Sequence, residues 1–238
     1  MEMLKGKNVL LIGATGGIGS STARLIKASG ANLFIAARDI EKLQLLADDL
    51  SISKHHLFAL DISNAAAVEQ LKEHFFAQFN SIDVLINAAG IGIIKPVAQL
   101  TEVDFLHSLH CNLVGPFLLV KAFLPSMQAS KKGLIINVPG ILGKVPMSGA
   151  AAYSASKYGL LGMLQSVREE IKRTEIRITN LFIGGVDTNF WNEIDLKVQR
   201  DKMIIAQEAA KSIWFLCQQP ASGVVSEMVI QPFNHQVI

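Results

Sequence analysis

The sequence predicts an α/β protein: a single doubly wound domain in which a seven-stranded parallel sheet carries helices on both faces. Three observations lead there. Short apolar runs alternate with longer amphipathic ones through the 238 residues, the rhythm of parallel strands joined by right-handed crossovers. Half of the residues are hydrophobic and only 18% are charged, which suits a sheet covered on both faces. No linker, change of composition or short repeat divides the chain, so residues 1–238 read as one domain.

Taken in order, the strands are expected at Asn8–Ile12, Asn32–Ala37, Leu57–Leu60, Ile82–Ile86, Leu134–Val138, Arg177–Phe182 and Glu227–Ile230. Helices are expected over Gly17–Ser29, Glu41–Asp49, Ala65–Phe79, Glu102–Leu124, Ala151–Arg173 and Gln207–Gln218. The fourth of these is predicted to stop before Pro125, because a proline disfavours helical backbone in the residue preceding it.

Composition excludes several functions. The net charge is +2 and no run of lysines or arginines occurs, so no nucleic-acid partner is expected. Cys111 and Cys217 form no CxxC pair, and the six histidines show no ligand spacing, so no metal site is expected. Met1–Lys7 is polar and Leu113–Leu124 is interrupted by Gly115, Pro116 and Lys121; neither a signal peptide nor a membrane span is predicted. A soluble cytoplasmic protein is the expectation.

The first strand runs into Gly13-Ala14-Thr15-Gly16-Gly17-Ile18-Gly19. Glycines at 13, 17 and 19 between a strand and a helix form a variant of the Rossmann fingerprint. Its chemistry is a tight turn, close backbone approach to a pyrophosphate, and a helix N-terminus aimed at that anion. About 20 residues on, the second strand ends in Ala37, followed by Arg38 rather than an acidic residue. A guanidinium suits a ribose 2′-phosphate, so NADP(H) is preferred, with NAD(H) as the alternative. The plain alternative for this stretch is a solvated Arg38, with Asp39 capping the next helix.

Tyr153 and Lys157 stand four apart in the predicted helix and so share a face. A neighbouring cation lowers the pKa of a phenol, ordinarily about 10, toward the range useful in acid–base catalysis. Together with Asn87-Ala88-Ala89-Gly90 and Asn112, these motifs make the chain, from Lys7 to Pro232, resemble the short-chain dehydrogenase/reductase family.

The resemblance implies a division of labour. Gly13, Thr15, Gly16, Gly17, Ile18 and Gly19 would cradle the dinucleotide. Asp61 and Ile62 would meet the adenine, and Asn87, Ala88, Ala89 and Gly90 would shape the cofactor floor. Gly184, Val186 and Thr188 would meet the nicotinamide end, with Ile183 where the family has proline. Tyr153 would exchange a proton with a carbonyl or alcohol oxygen. Lys157 would hold the ribose and depress the Tyr153 pKa, and Asn112 would support a proton path to Lys157.

One position departs from the pattern. Gly140 stands where the family carries a serine that donates a hydrogen bond to the substrate oxygen. Loss of such a donor costs on the order of 3–4 kcal/mol in transition-state stabilisation. Three readings stay open: Ser148 supplies the hydroxyl, the substrate brings its own donor, or the protein binds the dinucleotide as a weakly active or non-enzymatic sensor. An epimerase or dehydratase on the same scaffold is a further alternative. Residues 189–202 read as a short lid in which Trp191, with Phe190, favours an apolar pocket for a small carbonyl or alcohol. Surplus apolar residues on the two long helices, and the resemblance, imply a homodimer or homotetramer.

Overall fold

The computed structural model describes residues 3–220 and 222–236. Residues 1, 2, 221, 237 and 238, part of the expected 1–238 domain, lie outside them. Seven parallel strands form one sheet: β1 (Asn8–Ile12), β2 (Asn32–Ala37), β3 (Leu57–Ala59), β4 (Val84–Asn87), β5 (Lys132–Asn137), β6 (Glu175–Ile183) and β9 (Glu227–Ile230). Their order is β3-β2-β1-β4-β5-β6-β9, so the winding reverses between β1 and β4. A separate ribbon pairs two-residue strands, β7 (Val186–Asp187) and β8 (Ile204–Ile205), too short for a sequence pattern to reveal.

Burial of both faces is what makes the central strands apolar throughout. Val9, Leu11, Val84, Ile86, Leu134 and Ile136 point to one face, beneath α1 (Gly17–Ala28), α2 (Ile40–Asp49) and α7 (Ala206–Leu216). Leu10, Ile12, Leu85 and Ile135 point to the other, beneath α3 (Ala65–Gln78), α5 (Gly115–Ser130) and α6 (Ala151–Ile171). Trp214 of α7 donates its indole N–H to Ser29 Oγ at 2.7 Å, locking α7 to the end of α1.

The long helix differs from expectation. It begins at α4 (Glu102–Leu109), passes through a π-helical turn at His110–Val114 and continues as α5 to Ser130, beyond Pro125. Pro125 removes the amide that would bond to the Lys121 carbonyl. Both residues are exposed, so that carbonyl faces water and the helix continues. The joined segment Glu102–Ser130 is long and apolar enough to cross a membrane by length and composition alone, which the interrupted apolar run had not indicated. Its Leu119, Val120, Phe123 and Met127 are instead buried against the sheet.

At the β3 edge the His56 ring lies between Phe34 and Phe79, with centroids 6.3 and 4.8 Å away. Partial burial, followed by the nearby Lys27, His55 and His74, lowers its pKa below the ordinary 6.5. The unfolded chain therefore takes up this proton first, and the contribution of neutral His56 is complete above about pH 6.5 and declines as pH falls below it. Replacing His56 with Gln should flatten the loss of stability between pH 7.5 and 5.5, measured by urea unfolding at both pH values.

Candidate active site

The reversal of winding between β1 and β4 opens a crevice at their C-terminal ends, the usual ligand position in such sheets. Gly13 turns the chain there with φ +80°, its N–H donating to the Ala36 carbonyl at 2.8 Å. A Cβ on Gly13 would lie 2.7 Å from the Ala89 amide nitrogen and 2.8 Å from the Ala88 carbonyl carbon. Gly19 fits because a Cβ there would overlap the Gly13 carbonyl oxygen. The N-cap of α1 is Gly16, with no side-chain cap and no acidic residue in the first turn. Its amides are thus left facing an open, exposed turn formed with the half-buried Thr15 and Ile18, an arrangement suited to an anion.

Around this turn, Arg38 is exposed at the end of β2 and Asp39 caps α2 by accepting from the Lys42 amide at 3.0 Å. The plain alternative for this stretch, a solvated Arg38 with Asp39 as the cap, is therefore present. Partial burial acts to raise the pKa of Asp61, but hydrogen bonds from Ser63 and the charge of Arg38 hold it below the ordinary carboxylate value. Ile62 turns inward: a Cβ on Gly115 would lie 2.6 Å from its Cγ1. On the far side, Asn87 Oδ1 accepts from the Ala89 amide at 3.2 Å and fixes the bend that leads to Gly90.

Asn112 lies in the π turn, fully buried, where the extra residue swings its amide toward the segment after β4. Its Oδ1 accepts from Ile91 N at 3.0 Å, and its Nδ2 donates to Ile91 O at 2.9 Å and to Ser156 Oγ at 3.2 Å. Gly90 leaves the space between Asn112 and Lys157: a Cβ there would lie 3.0 Å from Asn112 Oδ1 and 3.2 Å from Lys157 Nζ. Ser156 and Ser108, which clasp Asn112, were not singled out by the sequence reading. Their only signal is a serine immediately before the lysine.

Lys157 is 3% exposed and forms no ion pair among the described residues, so burial pushes its pKa down to about 8. Its Nζ is 5.3 Å from the centre of the Tyr153 ring. The expectation that Lys157 depresses the Tyr153 pKa is corrected here. Burial of the phenol dominates and pushes it up to about 12, keeping Tyr153 a neutral hydroxyl.

Beyond Tyr153, Gly140 has φ +75° and ψ 165°, a region open essentially to glycine alone. A Cβ at this position would lie 3.3 Å from Tyr153 Oη and 3.8 Å from the Ile183 carbonyl oxygen. Ser148 is exposed and lines a surface depression with Pro96, Pro146 and Ala151, a depression whose lining includes neither Tyr153 nor Gly140.

The lid starts from Gly184, which backs onto Pro232, and the buried Val186. Thr188 Oγ1 accepts from the Phe190 amide at 3.3 Å, and its methyl occupies the space left by Gly17. Trp191, the expected substrate contact, donates its indole N–H to the Val186 carbonyl at 2.8 Å and so anchors the lid. The aromatic ring that faces Tyr153 is Phe190, with centroids 6.4 Å apart.

The sequence profile of the short chain dehydrogenases matches residues 7–199. The chain belongs to that family. It is 29% identical over 215 residues to a 3-oxoacyl-[acyl-carrier-protein] reductase of Bos taurus, covering 88% of this chain and 90% of that one. It is 29% identical, over the full length of both chains, to an uncharacterised oxidoreductase of Staphylococcus saprophyticus. Among solved structures it resembles a metagenomic short-chain oxidoreductase in complex with NADP, with TM-score 0.83 and 30% identity, covering 97% of this chain and 99% of that one. An alcohol dehydrogenase of the archaeon Thermococcus sibiricus, complexed with 5-hydroxy-NADP, gives TM-score 0.88 at 25% identity, covering 98% and 99%.

The Gly140 backbone yields a prediction within this family frame. Gly140→Ser and Gly140→Ala should each destabilise the fold by about 1–3 kcal/mol, since any side chain is strained there. Equal losses in urea unfolding are expected for the two; an unchanged midpoint for Gly140→Ser would contradict the assigned conformation.

Proposed function

We propose that this short-chain dehydrogenase is an NADP(H)-dependent oxidoreductase that interconverts a carbonyl and a secondary alcohol, with Tyr153 as the acid and base. The observation that carries this reading is the placement of a neutral phenol and a buried ammonium at the mouth of a glycine-cleared crevice. The cradle fits a dinucleotide: Gly13 and Gly19 are cleared of side chains by contact with backbone, and the uncapped α1 terminus matches a pyrophosphate. The NADP-complexed neighbours support the cofactor class.

The residues divide the work as follows. Gly13–Gly19 would hold the pyrophosphate, Arg38 would pair with a ribose 2′-phosphate, and Asp61 with Ile62 would border the adenine. Asn87, Ala88, Ala89 and Gly90 form the floor, while Gly184, Val186 and Thr188 bound the nicotinamide end. A dinucleotide held there would supply the hydride chemistry of the reaction. In reduction Tyr153 donates its phenolic proton to the substrate oxygen, and Lys157 would hold the ribose and lend positive charge as phenolate develops. Asn112 keeps the Ile91 backbone and Ser156 in place around Lys157, and the proton returns to Tyr153 along this polar group. Burial that raises the phenol pKa to about 12 keeps Tyr153 protonated across the physiological range.

Gly140 favours a second reading, a dinucleotide-binding sensor of low activity, since Tyr153 Oη stands beside backbone where a serine hydroxyl is usual. NADPH oxidation assayed with ketones, aldehydes and quinones separates the two, and turnover excludes the sensor. Exposed Val103, Leu106, Phe117 and Tyr158 on α4, α5 and α6 fit the expected homodimer or homotetramer.

Two substitutions test the leading reading. Tyr153→Phe should lower kcat roughly 10²–10⁴-fold while leaving the Kd for NADPH nearly unchanged. Retained turnover would refute the role of the phenol. Arg38→Ala should cut the preference for NADPH over NADH about tenfold or more in binding titrations, since a charge-assisted hydrogen bond is worth about 1.5–3 kcal/mol.

A further inference from the structure

The lid leaves the body at β7 and returns at β8, and this ribbon of two residue pairs, Val186 with Ile204 and Asp187 with Ile205, closes its base. A two-stranded ribbon is marginally stable at best by itself. Arg200, in the helical turn Arg200–Lys202 on the returning limb, supplies a second fastening. Its Nε donates to Asp187 Oδ1 at 2.6 Å, its Nη1 to Asn192 Oδ1 at 3.0 Å and its Nη2 to the Thr188 carbonyl at 2.7 Å. The planar guanidinium fork thus gathers three acceptors of the outgoing limb, a set that the point charge of a lysine does not match.

The clasped segment is also where the lid meets the cradle. A Cβ on Gly17 would lie 2.5 Å from Thr188 Cγ2 and 2.8 Å from Thr188 Cβ. Gly17 has no left-handed φ, so its backbone would accept alanine, and what excludes a side chain is the lid. Gly13 and Gly19 are cleared for the turn itself, whereas Gly17, the first residue of α1, is cleared for Thr188. Arg200 therefore acts on the Thr188 main chain while the Thr188 methyl rests on the cradle. Lid and α1 are joined across the crevice.

We propose that Arg200 is a positioning residue: its clasp keeps Thr188 seated on Gly17 and so sets the rate at which a dinucleotide enters and leaves the crevice. The Arg200 and Asp187 side chains are 40% and 43% exposed, so water competes for this pair and the clasp can open. Opening of a lid, and not chemistry, limits turnover in many enzymes. The effect on dinucleotide exchange rests on the proposed function, but the clasp itself does not.

The clasp is tested without cofactor, by chymotrypsin cleavage at Phe190 and Trp191 of the lid, read by mass spectrometry. Arg200→Gln should speed cleavage there about tenfold, the effect of losing several partly exposed hydrogen bonds, with the urea midpoint nearly unchanged. Gly17→Ala, which pushes Thr188 off the cradle, should speed it similarly. Adding Gly17→Ala to Arg200→Gln should give little further increase, because the two changes break one connection. Unchanged cleavage in Arg200→Gln, or fully additive effects of the two substitutions, overturns the clasp.

The gate is tested by stopped-flow binding and displacement of NADPH. Arg200→Gln should raise the association and dissociation rates together, each about tenfold, leaving Kd nearly unchanged. A merely structural role would instead shrink the binding-competent fraction, slowing association and weakening Kd. An unchanged dissociation rate, or a slower association, overturns the gate. If NADPH binds neither protein while Arg200→Gln speeds cleavage, the proposed function fails and the clasp stands.

Discussion

The site depends on how closely the turn after β1 approaches the segment after β4. At Gly13 the two chains lie so near that a single Cβ would strike the Ala88–Ala89 backbone. That contact keeps the mouth of the sheet narrow and aims the uncapped end of α1 across it. It also sets the height of the loop from Ala88 to Gly92, because the Ala88 amide donates to the Ile12 carbonyl at 3.0 Å. Asn112 then clasps that loop at Ile91 from the opposite side. The cradle and the polar cluster are thus consecutive parts of one short stretch of backbone.

On this frame the protein holds two groups away from their ordinary ionisation, and one of them, Lys157, at a cost in stability. The Lys157 ammonium is buried with no ion pair among the described residues and its pKa down to about 8, and a phenol is buried beside it, with its pKa up to about 12. Buried charge without a partner is unfavourable and marks functional sites more often than structural ones. A polar ligand that supplies hydroxyl groups to Lys157 would relieve that cost, so binding and folding are coupled at this residue. Gly140 adds a third departure, a backbone conformation reserved for glycine beside the phenol. It makes the absence of a serine hydroxyl part of the local backbone geometry and not a side-chain exchange alone.

Much of this was legible in the sequence. The strands that bury both faces announce themselves as unbroken apolar runs, and β1, β2 and β9 appear with the expected bounds. The glycine turn, Asn112, Tyr153 and Lys157 were readable because their chemistry demands fixed residue types at fixed spacing. Pro125 misled because its cost depends on whether the Lys121 carbonyl can reach water, a property of the folded surface. The Tyr153 pKa misled because a spacing of four residues specifies proximity to Lys157 but not the depth of burial. The Arg200 clasp was hidden for a related reason: only the folded lid brings its two limbs together.

The account stands or falls on whether the glycine-cleared crevice binds a nicotinamide dinucleotide next to Tyr153 and the lid. The direct measurement is titration of the wild-type protein with NADPH, following energy transfer from tryptophan to the reduced nicotinamide together with the thermal midpoint. The prediction is saturable binding with sensitised nicotinamide emission, lost in Trp191→Phe but kept in Trp214→Phe. At about 100-fold excess over Kd, the fold should gain about 2.7 kcal/mol. No saturation and no rise in Tm with NADPH or NADH would contradict it.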